Sequence, residues 1–165
     1  MEFARYNPEW LEALVAQEEI LCMEKITADD AYALGGVLIR TAKEKYQKPA
    51  AFRIISGGQV VFSFLMDGTS NNNNWWMDKK FNTCLMTGVS SIRSLVEVAE
   101  GLRPMEPEFE NEGSFALCGG CFPVHNAAGK IIGWVLASGL PHECDHQLII
   151  DSMNEFLGKN APAII

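Results

Sequence analysis

No stretch of this 165-residue chain approaches the roughly 20 apolar residues that a membrane-spanning helix needs; Ile131 to Ala137 is far too short. Positive charge is scarce, with 13 Lys and Arg against 21 Asp and Glu and a net charge of −8. Phosphate binding needs clustered Lys and Arg, so a nucleic-acid groove is disfavoured, as is an anionic membrane surface. Five cysteines, an odd number, do not make a self-contained disulfide framework. The start, Met1-Glu2-Phe3-Ala4-Arg5, lacks the basic-then-apolar pattern of a secretory signal. These absences point to a reduced, cytoplasmic protein. No glycine pattern fits a P-loop or dinucleotide fingerprint, there is no Gly-x-Ser-x-Gly elbow, and no internal repeat is visible.

What is present suits one globular domain over residues 1–165, with 48% hydrophobic and 21% charged residues. Residues 1–26 form an N-terminal helical extension and residues 27–158 the core. Asn7-Pro8 suits a helix start, with Leu11, Leu14, Val15 and Leu21 at helical spacing up to Cys22. Thr27 opens a second helix with Asp30 in a capping-box position. Gly35-Gly36 in its middle implies a close approach to another backbone. Residues 51–66 read as a hairpin turning at Gly57-Gly58, whose second strand is almost continuously apolar. The run Asn71 to Asn74 reads as a loop and cap before a third helix from about Trp75 to Thr87. On that helix Met77, Phe81, Cys84, Leu85 and Gly88 form the apolar face, while Trp76, Lys80, Thr83 and Thr87 share the other side. A lysine beside a tryptophan and two hydroxyls can hold a carboxylate; it can equally lie in water over the indole. Ser90-Ser91 caps a short fourth helix, and Arg103 to Gly113 is an acidic exposed loop.

The last third of the chain carries the densest pattern. Gly119-Gly120 precedes two strands separated by Asn126-Ala127-Ala128-Gly129, and Ser138-Gly139 ends the second strand before a helix from Pro141. On that helix His142 and His146 fall in the arc that also holds Ile149, Ile150, Met153 and Leu157. Such a pair can bind metal or haem iron or act as acid and base; the alternative is a histidine hydrogen-bonded within the packing. Asp145 favours the positive end of the helix dipole and can orient a histidine or pair with Lys80. Cys118-Gly-Gly-Cys121 has redox or metal spacing, yet it lies between strand-like segments rather than opening a helix, so buried free thiols are the expectation.

Gly119-Gly120-Cys121-Phe122-Pro123, then Ser138-Gly139-Leu140-Pro141 and Asp145-His146, together resemble the little-characterised branch of the haem-degrading-domain superfamily, the GlcG/HbpS-like group. Met66-Asp67-Gly68, Trp76 followed by Lys79-Lys80, and Ser90-Ser91 extend the resemblance from about Ala28 to Leu157. It implies a profilin-like architecture, in agreement with the pattern of elements: an α/β (α+β) fold with an antiparallel five-stranded sheet and packed helices. It also implies assembly as a homo-oligomer, a dimer or a larger ring, and haem or a porphyrin as a ligand. The expected ligand site joins Trp76, Lys80, Gly119, Gly120, Asp145 and His146, with no metal site assigned. Two other readings stay open at this stage. One is a non-enzymatic scaffold that presents the acidic loop to a protein partner; the other is a small acid/base enzyme using Lys80, Asp145 and His146.

Overall fold

The computed structural model describes residues 1–165. Helices α1 (Trp10–Ile20) and α2 (Ala28–Thr41) lead into strands β1 (Ala51–Ser56) and β2 (Gln59–Leu65). Helices α3 (Asn71–Thr87) and α4 (Ser91–Ala99) follow, then strands β3 (Cys121–His125) and β4 (Ile131–Ser138) and helix α5 (His142–Leu157). The four strands form one sheet in the order β2-β1-β4-β3, with every neighbouring pair antiparallel.

Alternation along the strands divides the core into two layers. Phe52 and Ile54 of β1, Phe122 and Val124 of β3, and Val135 and Ala137 of β4 face α2 and α5, where they meet Leu34, Leu38, Ile149 and Met153. Ala51, Ile55, Cys121 and Leu136 face the other way, against Met77 and Cys84 of α3. The sheet is therefore sandwiched between helices, and α1 is fastened to α4 by Trp10, Leu14, Ile92 and Val96. The Thr27–Asp30 capping box forms in both directions. Gly57 and Gly58 both take positive φ in the two-residue β1–β2 turn. Gly35 is kept free of a side chain by the ring of Phe62 on β2, not by another backbone, and Gly36 meets nothing.

Three expectations need correction. The sheet has four strands, not five. The residues ahead of β3 do not pair with a strand because side chains of α3 hold their backbone instead: Asn82 donates to the Ser114 carbonyl, and the Thr83 hydroxyl bonds both the carbonyl and the N–H of Ala116. Second, α3 starts at Asn71, one turn before Trp75, because Ser70 caps it and Asn73 returns a bond to the Ser70 N–H. Third, its buried face differs from the apolar row. Lys79, Lys80 and Thr83 are buried with Met77 and Cys84, while Leu85 is exposed. Helix α3 is covered on a polar side as well, because the 111–118 segment and the end of β4 supply carbonyls there and the start of α5 a carboxylate.

Candidate functional site

The C-terminal end of β4, the start of α5 and the middle of α3 meet at Lys80. Its ammonium donates to Asp145 Oδ2 at 2.9 Å and to the Ala137 carbonyl at 3.0 Å, and both side chains of the pair are almost wholly buried. The other Asp145 oxygen accepts the Leu140 N–H at 2.9 Å, which ties the helix start to the strand end. Burial pushes the Asp145 carboxyl up, against the pull of the Lys80 ammonium and the N–H groups of Leu140 and Gly139.

The paired glycines make this approach possible. A Cβ on Gly120, at φ 127°, would stand 2.5 Å from the Lys80 nitrogen and strike the Ala137 carbonyl. One on Gly119 would strike the His142 carbonyl. The Gly119 N–H donates to His142 Nδ1 at 3.0 Å, so the proton of that ring sits on Nε2, which donates to the Arg5 carbonyl at 2.9 Å. Burial holds the His142 pKa below its ordinary value.

His146 points elsewhere. Its ring is fully buried against Phe122, with Nε2 2.7 Å from the Gln17 amide oxygen and Nδ1 without a partner. Burial lowers its pKa to about 3, so it is neutral at physiological pH. Of the six residues expected to share a site, Lys80, Asp145, Gly119 and Gly120 form one cluster, Trp76 stands at its edge, and His146 lies behind it in the core.

Two hollows flank this cluster. The smaller, about 410 Å³, is lined by Trp76, Lys80, Ser138, His142 and Asp145. The larger, about 560 Å³, is mainly apolar and includes Phe3, Trp75, Trp76, Phe109 and Phe115. Ala4, Trp76 and Cys118 line both. Within the larger hollow, Lys79 Nζ sits 4.0 Å from the Trp75 ring centre and 3.6 Å from that of Trp76, and donates to the Glu112 carbonyl at 3.1 Å. Lys79 is only 4% exposed, yet unlike Lys80 it has no carboxylate in ion-pair contact. Burial accordingly lowers its pKa. The Lys79-Lys80 doublet was visible in the sequence, but helical periodicity gave Lys79 no part; its setting depends on the distant 109–118 segment. Cys118 and Cys121 are buried free thiols, and burial pushes the Cys118 thiol up.

Sequence reasoning also missed a cluster under a third cleft, between the end of α1, the start of α4 and the β3–β4 turn. Glu18 is 5% exposed and holds the Ser90 N–H and the Arg93 guanidinium only loosely, both at 3.4 Å. Arg93 and Arg103 both bind Glu97, which they hold below the usual carboxylate range although burial opposes them. Burial raises Glu18 to about 7, with Arg93 opposing. A carboxyl whose folded pKa lies above its unfolded value favours the folded state below the unfolded pKa, and that contribution is lost as pH rises through the folded pKa. Stability therefore falls between about pH 4.5 and pH 7 by roughly 3 kcal/mol on this group's account. The expected outcome for Glu18→Gln is a melting temperature matching the parent near pH 4.5 and exceeding it increasingly towards pH 8. A difference that stayed constant or narrowed across that range would contradict the assignment.

Residues 26–154 match the family model described as haem degrading protein HbpS-like. A UPF0303 protein of Streptomyces avermitilis is 31% identical over 154 residues, covering 93% of this chain and 94% of the relative. Another, from Brucella melitensis, is 29% identical over 96% of this chain and 94% of its own length. Among solved structures, the Ybr137w protein superposes with a TM-score of 0.78 at 27% identity, over 90% of this chain and 88% of that one. HbpS gives 0.63 at 17% identity over 82% and 92%, and PduOC in complex with haem gives 0.63 at 17% over 83% and 98%. The last two show a common fold. With the glycine pair, the Trp-Lys-Lys helix and the Asp-His helix start in place on that fold, the chain belongs to the HbpS-like haem-degrading family.

Proposed function

We propose that this protein is a cytoplasmic binding module for a flat, apolar molecule carrying a carboxylate, held in the hollow beside Trp75, Trp76 and Lys79. One observation carries the reading: Lys79 is a buried ammonium with no carboxylate in ion-pair contact, at the faces of two half-exposed indoles. A buried charge is costly unless compensated, and a ligand carboxylate supplies the missing charge while its ring system packs on tryptophan. The volume of the hollow lies within the range of roughly 300–1,000 Å³ usual for small-molecule sites, and its walls are chiefly apolar. The five free cysteines suit a reducing compartment.

Haem, which the structure of a protein with the same fold contains, fits this hollow in part. Propionates suit Lys79, and the macrocycle suits the aromatic wall. The hollow offers iron neither a histidine nor a thiolate: both His142 nitrogens are engaged, His146 is buried behind the cluster, and Cys118 is kept a protonated thiol by burial. Affinity here rests on stacking and charge rather than on iron. Titration with metal-free protoporphyrin, followed by tryptophan fluorescence, should give saturable quenching. Haemin should bind no more tightly, and Lys79→Met should weaken binding about tenfold, as expected for a partly desolvated charge pair. Absence of saturable quenching, or unchanged affinity in Lys79→Met, would refute the site.

A second copy of the chain is the natural cover for β2. This strand is a sheet edge with no charged residue along it, and Val60, Val61 and Phe64 are exposed. Natural sheet edges are normally blunted by charge, proline or a covering element, and this one is not. Light scattering should give a mass that is a multiple of 18.2 kDa, and Val60→Lys with Phe64→Lys should reduce it. A monomer in the parent protein would overturn this assignment.

A further inference from the structure

The two hollows meet at Ala4, Trp76 and Cys118, and Ala4 belongs to the N-terminal segment Met1–Arg5. Of the three residues lining both, Trp76 stands on α3 and Cys118 is anchored beside the glycine pair, whereas Ala4 belongs to a stretch without helix or strand. Met1, Glu2 and Phe3 continue it as one wall of the larger hollow. The polar ties of this segment are few. The Arg5 carbonyl accepts from His142 Nε2 at 2.9 Å, and the Arg5 guanidinium meets Glu143 at 3.5 Å with the arginine side chain 81% exposed. No backbone hydrogen bond joins residues 1–5 to the rest of the chain. By contrast, α3, β4 and α5, which make the other walls, are bound together through the buried Lys80–Asp145 pair.

From this asymmetry we infer that residues 1–5 are a displaceable strap, latched at the start of α5, whose release joins the two hollows into one cleft for the ligand. The inference rests on the ligand site proposed above and adds its control. With the strap in place, a ligand stacked beside Trp75 and Lys79 is separated by Ala4 from the Ser138–Asp145 side. With the strap released, one ligand reaches from the Lys79 ammonium to the polar groups around Lys80 and His142. Binding then draws on a fraction of molecules that are open, and the apparent affinity is reduced by that fraction. A latch of one hydrogen bond and one 3.5 Å ion pair, whose arginine is solvent-exposed although Glu143 is buried, is weak enough for the open form to be populated.

The latch can be altered at Glu143, which lines neither cavity and reaches the smaller one only through His142, 3.6 Å from its Oε2. Glu143→Lys sets two cations against each other in the full-length chain, and Arg5→Glu with Glu143→Lys restores an attractive pair in reverse. Two readouts apply. Acrylamide quenching of tryptophan fluorescence, without any ligand, should increase in Glu143→Lys, return towards the parent level in the double variant, and show no such change in a Trp75→Phe, Trp76→Phe background. Metal-free protoporphyrin should bind Glu143→Lys roughly two- to fivefold more tightly, the range of an ion pair with one partner in solvent, and the double variant like the parent. If no variant binds the porphyrin, the ligand reading fails and the quenching series alone decides the strap. Unchanged quenching in Glu143→Lys, or porphyrin binding that weakens there while quenching rises, would overturn the strap: the first means it does not open, the second that it belongs to the binding surface.

Discussion

The contact between Lys80 and Asp145 governs the arrangement around it. Two opposite charges removed from water attract strongly, but each also carries a large desolvation cost, so geometry and additional hydrogen bonds decide the balance. Here the ammonium has a second acceptor in the Ala137 carbonyl, and the carboxylate has the Leu140 N–H. The pair thereby joins three elements, α3, the end of β4 and the start of α5, at one point. It also requires bare backbone beside it, which Gly120 provides, while Gly119 gives the same room to the start of α5 at His142. The Gly-Gly, Lys-Lys and Asp-His motifs, far apart in sequence, are thus parts of one packing solution.

That solution separates structural charge from available charge. Lys80 is neutralised inside the protein, and its neighbour Lys79, turned towards the aromatic segment 109–118, is not. The two lysines belong to one helix and differ by one position, yet their surroundings give them opposite roles. Phe109 is buried and packs edge-on against Phe115, so the acidic connector has an apolar anchor that shapes the hollow. The rigid cluster forms one wall of the hollow and the loosely tied N-terminal segment another.

How far the sequence disclosed this can be judged residue by residue. The hairpin at Gly57-Gly58 and the Thr27–Asp30 capping box rest on local chemistry, so they were readable from neighbouring residues alone. The family motifs marked the Lys80, Asp145 and glycine neighbourhood in advance. That the segment ahead of β3 is not a fifth strand, which face of α3 is buried and where His146 points were not readable. Periodicity assumes that a helix buries its apolar stripe, whereas α3 also buries Lys79, Lys80 and Thr83 because a distant segment and α5 bring them acceptors. Likewise, helical spacing puts His146 on the inward arc, but only the position of Gln17, 129 residues away, shows how its Nε2 finds a partner there. Local rules identified the parts; long-range hydrogen-bond partners assigned their roles.

The most direct measurement is a double-mutant cycle on Lys80 and Asp145 by urea unfolding. If the pair holds the junction together, Lys80→Met and Asp145→Leu each cost about 3–5 kcal/mol, because each leaves a buried group without its partner. The double variant should then cost clearly less than the sum, with a coupling of at least about 1 kcal/mol. Additive losses, or single variants as stable as the parent, would show that the junction does not depend on this pair.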